Sequence, residues 1–166
     1  MPYQGGSGKA CSTRLIEDRD NELQKNGTSY NFQSATSGSG ATIATDNALA
    51  PDSFCPLGWQ LPYGGTGGDY YDQSKSIYYL RIFYGITASD PNAALVKIMK
   101  YPISLVLAGN YHWREGALFK QDAAYYTWTS AVKNINQGYR FVAPVYESED
   151  TKLSGASLRC VSELAA

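Results

Sequence analysis

The segment Ser53–Pro62 constrains this chain most strongly, because it combines a cysteine, two prolines, a glycine and a tryptophan. Pro56 and Pro62 fix the backbone φ angle and exclude a regular helix on either side of the segment. Trp59 has the size and chemistry of a buried core residue whose indole N–H is held by a single acceptor. The segment therefore predicts a tightly turned loop anchored on the core.

The three cysteines of the chain predict one intrachain disulfide. Cys55 and Cys160 are the natural pair, and the sequence between them then forms one closed domain. A disulfide implies an oxidising compartment, whereas in a reducing one both thiols are small buried apolar groups. Cys11 is left as a free thiol, as half of an intermolecular bridge, or paired outside this fragment. The lack of a C-x-x-C motif and the single histidine, His112, argue against zinc.

Length and charge narrow the class of protein. The 166 residues fit one domain with a single core, and we predict a flexible segment over residues 1–12 followed by one domain over residues 13–166. The formal net charge of −1 predicts no nucleic-acid partner, and no apolar run predicts a membrane span. Fourteen tyrosines suit either a binding surface or ordinary strands, and composition leaves both open.

Helical periodicity followed by short strands predicts an α+β fold. Apolar residues recur at helical spacing in Tyr70–Tyr84, and Asp90 followed by Pro91 is typical of the start of a second helix, which stops before Pro102. The later strands are separated by glycine, asparagine and charged turns, which favours a mainly antiparallel sheet. The strand candidates are Ile103–Ala108, Leu118–Lys120, Tyr125–Ser130, Gly138–Ala143 and Ala156–Val161.

Four motifs, in this order and spacing, resemble a known family. They are Cys-Pro-Leu-Gly-Trp-Gln-Leu-Pro at 55–62, Tyr-Pro-Ile-Ser-Leu-Val-x-Ala-Gly at 101–109, Tyr-x-Trp-x-Ser at 126–130 and Ser-Leu-Arg-Cys-Val at 157–161. Together they resemble the C-type-lectin-like domains of bacteria and archaea. Such domains occur on surface proteins, on pilin-like proteins and in the variable proteins of diversity-generating retroelements.

The resemblance, which extends from about residue 26 to residue 161, implies a particular fold. A C-type-lectin-like fold has two helices, a twisted and mainly antiparallel sheet, and chain ends that lie close together. It also pairs a cysteine at the first helix with one on the last strand, in agreement with Cys55 and Cys160. The family's calcium motifs for sugar binding are missing, because residues 90–92 predict a helix start and Trp128 is followed by Thr129.

The resemblance implies a non-enzymatic domain that binds a macromolecule, with a protein as the expected partner, and uses no metal or cofactor. Its more specific form is a variable protein of a diversity-generating retroelement, displaying a changeable surface. We assign Trp128 to the core, which leaves Tyr125, Thr127 and Thr129 on the exposed face of the same strand. The candidate ligand-binding residues are Asn110, His112, Arg114, Glu115, Lys120, Asp122, Tyr125, Thr127, Thr129, Lys133, Asn134, Asn136, Arg140 and Glu147.

Other interpretations stay open at this point. A structural surface or pilin-like subunit would pack against copies of itself, and an oxidase of the formylglycine-generating type would need a close, copper-binding cysteine pair that this chain lacks. His112 could act as a catalytic base, but the alternative is an ordinary surface histidine without a catalytic role. The acidic residues Glu147, Glu149 and Asp150 are weighed as a weak cation site against a solvated hairpin turn, which we favour. A disulfide-bonded binding domain is expected at the cell surface or secreted.

Overall fold

The computed structural model contains two small antiparallel sheets. It describes residues 29–65, 96–97, 99, 107–142 and 146–162. Strands β1 and β2 form the first sheet, and strands β3, β4 and β5 form the second in that order. The elements are α1 (Phe32–Ala35), β1 (Asn110–His112), β2 (Ala117–Phe119), β3 (Tyr126–Val132), β4 (Gln137–Val142) and β5 (Tyr146–Thr151).

The expected α+β fold, with two helices and one twisted sheet, is wrong. The described residues form sheets of two and three strands, with α1 as a single short helix. The expected helix Tyr70–Tyr84 lies outside the described residues, and of the second helix only Val96, Lys97 and Met99 are described, as helical. The relation of the chain ends, the segment 1–12 and the partner of Cys11 also lie outside them.

Strand β3 is the most deeply buried strand of the larger sheet, since all seven of its residues are buried. One edge pairs with β4, and the register shifts between Trp128 and Val132, which marks a β-bulge. The other edge is completed by isolated bridges from Leu49 and Ser157, which come from distant parts of the sequence. Strand β3 therefore has backbone partners along both of its edges.

The main core forms where α1 packs against β3. Phe32 and Trp128 are fully buried and meet edge to face with ring centroids 5.2 Å apart. The Trp128 indole N–H donates to the Tyr30 carbonyl at 2.7 Å, so the assignment of Trp128 to the core is confirmed. Helix α1 begins here because the Asn31 side chain accepts a hydrogen bond from the Ser34 N–H at 2.8 Å, an N-cap contact.

Two glycines leave the space that the Phe32 ring fills. A Cβ atom added to Gly40 would lie 2.4 Å from one ring carbon, and one added to Gly138 would lie 2.7 Å from two others. The buried Lys152 ammonium lies 5.7 Å from the centre of the same ring and donates to three carbonyls of the loop 40–43 at 2.8–3.3 Å. Burial lowers the pKa of Lys152. The ring is thus enclosed by groups that have little freedom to move.

The predicted disulfide between Cys55 and Cys160 is confirmed, with the two Cα atoms 5.8 Å apart. Beside it, Gln60 and Val161 exchange both backbone hydrogen bonds, at 2.9 and 2.8 Å. The covalent bond and this short ladder together tie the cysteine–proline loop to the segment that follows β5.

The expectation that Trp59 is a buried plug is wrong, because 50% of its surface is exposed. The Trp59 N–H donates to the Pro56 carbonyl at 2.9 Å, and Gly58 has a φ of 81°, so the chain makes a tight turn at the surface here. Leu57, at the tip of that turn, is fully exposed. The buried position that follows the turn is taken by Leu61 instead.

Candidate functional site

The expected exposure of one face of β3 is wrong. The β3 residues Thr127 and Thr129 are completely buried, and Tyr125 and Asn110 are nearly so. Alternation along a strand predicts two faces, but it does not show that either face meets solvent. At the bulge, the Thr129 hydroxyl donates to the Tyr139 carbonyl at 2.9 Å and so joins β3 to β4.

The hydroxyl of Tyr125 is enclosed within the protein. Burial raises the pKa of Tyr125 to about 12, while the Thr127 hydroxyl and the charge of Arg159 act in the opposite direction. A tyrosine in this position keeps its proton across the physiological range. It supplies packing surface to the core and no exposed area to a ligand.

Lys133 is engaged in an ion pair within the fold. Its ammonium donates to one oxygen of the Asp46 carboxylate at 2.9 Å, and the Tyr139 hydroxyl donates to the other at 2.8 Å. The hydrogen bond from Lys133, followed by that from Tyr139, lowers the pKa of Asp46, and the same pairing raises the pKa of Lys133. These contacts join the loop after α1 to the larger sheet.

Arg140 and Asn134 also make structural contacts, within the larger sheet and the turn between β3 and β4. The Arg140 guanidinium pairs with Asp150, donates to Ser148 at 3.2 Å and lies 4.5 Å from the centre of the Tyr126 ring. The Asn134 side-chain oxygen accepts backbone hydrogen bonds from Asn136 and Gln137 at 2.9 and 3.0 Å, which shapes the turn between β3 and β4. Of these turn residues, Asn136 is exposed.

The acidic residues Glu147, Glu149 and Asp150 lie in strand β5, so the favoured interpretation of a hairpin turn is wrong. Asp150 already pairs with Arg140. In the part of the chain that the structure describes, no three His, Cys, Asp or Glu residues are grouped so that they could hold a metal ion.

The remaining candidates lie on the β1–β2 hairpin and the loop that follows it. In this hairpin His112 pairs with Ala117 and Asn110 with Phe119. The Phe119 ring, 39% exposed, lies 5.4 Å from the His112 ring. The sequence analysis did not name Phe119 as a candidate. The large apolar Phe119 directly before the charged Lys120, in a very short strand, could have indicated an exposed aromatic residue. We call the following group the hairpin surface: His112, Arg114, Glu115, Phe119, Lys120 and Asp122.

The loop after β2 has an unusual backbone. Lys120 and Asp122 have φ angles of 55° and 59°, in the left-handed region that residues other than glycine rarely adopt. The Asp122 N–H donates to the Leu107 carbonyl at 2.8 Å. A Cβ atom at Gly109 would lie 2.1 Å from the Phe119 carbonyl oxygen, so the loop packs directly against the glycine backbone. Close packing and hydrogen bonding hold the loop in this conformation.

The charged side chains of the hairpin surface form no ion pair with another described residue. Arg114, Glu115, Lys120 and Asp122 are exposed, and the Arg114 guanidinium lies 4.9 Å over the Trp113 ring. The His112 Nδ1 atom is buried and makes no hydrogen bond with a described residue. Two cationic and two anionic side chains exposed on one hairpin and the loop that follows it suit the recognition of a partner with charges of both signs.

Comparison of the chain with family models, with curated proteins and with solved structures found no match. Among the described residues, no helix has the length and apolar character needed to cross a membrane. The family resemblance carried by the four motifs therefore stays a prediction.

Proposed function

We propose that this protein is a non-enzymatic binding domain that recognises a protein partner through the hairpin surface. The observation that carries the proposal is the left-handed backbone of Lys120 and Asp122 beside the exposed Phe119 ring. A left-handed conformation costs a residue with a side chain roughly 1–2 kcal/mol. Glycine avoids that cost, so the presence of Lys and Asp at these positions supports a role for their side chains.

The chemistry of the hairpin surface favours a protein over other macromolecules. Protein-binding surfaces combine a small number of apolar or aromatic anchors with a polar rim, as Phe119 does with its charged neighbours. The exposed charges of the hairpin surface are of both signs, whereas a nucleic-acid site is dominated by positive charge. Because the loop is held against Gly109, little conformational entropy remains to be lost on binding.

The more specific proposal is that the chain is a variable protein of a diversity-generating retroelement. Support comes from the four motifs and from the position of the hairpin surface, whose side chains lie outside the β3–β4–β5 sheet and its core. The cheapest test is the neighbouring DNA. We expect a near-identical repeat of the C-terminal coding region that differs at adenines, next to a reverse transcriptase gene. Their joint absence contradicts this form of the proposal and leaves protein binding to be tested separately.

Binding is tested by selecting peptides from a phage-displayed random library on the immobilised wild-type chain. We expect the selected peptides to lose binding at least tenfold to the double variant Lys120→Gly/Asp122→Gly. This variant removes both side chains while relieving the left-handed strain, so its thermal stability should stay equal or rise.

The matched control is Ser37→Gly, because Ser37 is also exposed and left-handed, with a φ of 50°, but lies on the turn after α1. Peptide binding to this control should equal that of the wild type. If the selected peptides bind the double glycine variant as tightly as the wild type, the hairpin surface is not the recognition site.

A further inference from the structure

A small cavity lies beside the second edge of β3, where two loops hydrogen-bond to the same residue. The Ser130 N–H donates to the Pro62 carbonyl at 2.9 Å, and the Ser130 carbonyl accepts from the Ala50 N–H at 2.8 Å. The edge of β3 therefore passes from one loop to the other at this residue. A cavity of about 150 Å³ lies between the two loops, lined by residues 49–53, by residues of the segment 60–63 and by Ser130.

The walls of this cavity are held by contacts within the fold. The Ser39 hydroxyl donates to the Asp52 carbonyl at 3.3 Å and accepts from the Asp52 N–H at 3.1 Å. On the other side, Gln60 and Val161 exchange both backbone hydrogen bonds beside the disulfide. Because both walls are fixed by the fold, little conformational entropy is lost when a ligand enters.

Two polar side chains of the cavity have no hydrogen-bond partner among the described residues. The Asp52 side chain is exposed, and its carboxylate forms neither a hydrogen bond nor an ion pair with them. The Gln60 Nε2 atom is buried and has no acceptor. A buried amide N–H without an acceptor is costly, and rotation of the Gln60 amide lets it present its N–H₂ group to a bound molecule.

These side chains select a ligand with three features. The Asp52 carboxylate favours an ammonium group, which supplies both positive charge and hydrogen-bond donors. The Gln60 N–H₂ group favours an acceptor oxygen. Leu49 and Leu61 provide apolar wall for a short aliphatic group. A cavity of roughly 150 Å³ can hold a molecule of the size of benzene, so the ligand has about six to eight non-hydrogen atoms.

We propose that this cavity binds one small amino-acid residue that has a free α-ammonium group and a carbonyl oxygen. The ammonium pairs with Asp52, the carbonyl oxygen accepts from Gln60, and the aliphatic side chain lies against Leu49 and Leu61. A free α-carboxylate would face the Asp52 charge, which favours an amino-acid amide or the first residue of a peptide over a free amino acid. The cavity is separate from the hairpin surface, so this proposal does not depend on the function proposed above.

The test is an NMR titration of the ¹⁵N-labelled full chain with L-valinamide. The amide resonances of Ala50, Asp52 and Leu61 should shift saturably, with a Kd on the order of 1 mM. Isovaleramide lacks the ammonium group and isoamylamine lacks the carbonyl, so each should bind at least about fivefold more weakly. The peptide Val-Gly-amide distinguishes the two sources of the ligand. Tighter binding than valinamide identifies a peptide N-terminus, weaker binding identifies a free amino-acid amide, and either supports the shared chemistry.

Two variants test the assigned contacts separately. Asp52→Asn keeps the backbone contacts with Ser39 and should weaken valinamide binding roughly tenfold, while isovaleramide binding stays unchanged. Gln60→Met should weaken valinamide binding and leave isoamylamine binding unchanged, because it removes only the donor for the carbonyl. The control Glu149→Gln removes the same charge from an exposed residue of β5 and should bind valinamide like the wild type.

Three results would overturn the proposal. The first is the absence of a saturable shift with valinamide in a chain whose spectrum shows it to be folded. The second is equal binding of valinamide, isovaleramide and isoamylamine, since the cavity would then recognise only the aliphatic group. The third is equal binding of valinamide by the wild type and by Asp52→Asn, since the carboxylate would then have no part in recognition.

Discussion

Gly138→Ala should destabilise the fold through one specific contact with the Phe32 ring. The added Cβ would lie 2.7 Å from the Cδ2 and Cε2 atoms of Phe32 and 3.1 Å from Cγ. Favourable carbon–carbon contacts lie at about 3.5–4.0 Å, so ring or strand must shift by nearly 1 Å. The ring has little room to move, because Gly40 approaches its other edge and Trp128 packs against it with centroids 5.2 Å apart.

The expected loss follows from two opposing effects. Overpacking of a filled core costs about 1–3 kcal/mol. Alanine is intrinsically better than glycine in a strand interior by roughly 0.5–1 kcal/mol, and this offsets part of the cost. We therefore expect a net loss of about 1–2 kcal/mol in the free energy of unfolding. At a urea m-value of about 1–3 kcal/mol/M, the midpoint of the urea transition falls by roughly 0.3–2 M.

The assay is urea denaturation of a double-mutant cycle under non-reducing conditions. In a Phe32→Leu background the ring carbons are absent, so Gly138→Ala should become neutral or stabilising, with a coupling energy of at least about 1 kcal/mol. An equal loss in both backgrounds would refute the argument, because the cost would then come from the strand and not from the ring.

Two other predictions concern the disulfide and the Asp46 ion pair. Cys55→Ser should lower the free energy of unfolding by about 2–5 kcal/mol, whereas Cys11→Ser should leave it unchanged. Thiol titration of the denatured, unreduced wild type should find one free thiol. Finding three free thiols would exclude the disulfide. Because its pKa is lowered below the usual 3.8, Asp46 stabilises the fold above that pH, and this contribution is lost as the pH falls through the lowered pKa. Asp46→Asn should therefore flatten the acid side of a stability–pH profile, by a small amount because the pair is exposed.

The strands around the central bulge could be predicted closely from sequence. The predicted strands Tyr125–Ser130 and Gly138–Ala143 differ from β3 and β4 by one or two residues at their ends. Aromatic and β-branched residues bounded by asparagine and glycine turns are a local signal, so the prediction needs no knowledge of distant contacts. The disulfide between Cys55 and Cys160 was also predicted, from the position of the two cysteines at opposite ends of the expected domain and from the family resemblance.

The exposure of side chains was not predictable in the same way. Thr127 and Thr129 are buried in a strand whose second edge is bridged by Leu49 and Ser157, and Trp59 is half exposed in a surface turn. Both outcomes depend on contacts between positions far apart in sequence. The same holds for β5. Its acidic sequence alone favours a turn, and it forms a strand because it pairs with β4. Local patterns predict where strands lie, and tertiary contacts decide what they cover.

The structural contacts divide the candidate residues by how freely they can change. Lys133, Asn134 and Arg140 each contact a partner within the fold, so replacing one leaves the Asp46 carboxylate, the Gln137 N–H or the Asp150 carboxylate without that contact. Arg114 and Lys120, on the hairpin surface, satisfy no hydrogen-bonding partner among the described residues, so their replacement should cost little stability. A scaffold that must tolerate many different ligand-binding sequences needs this separation. For that reason we place recognition on the hairpin and not on the sheet.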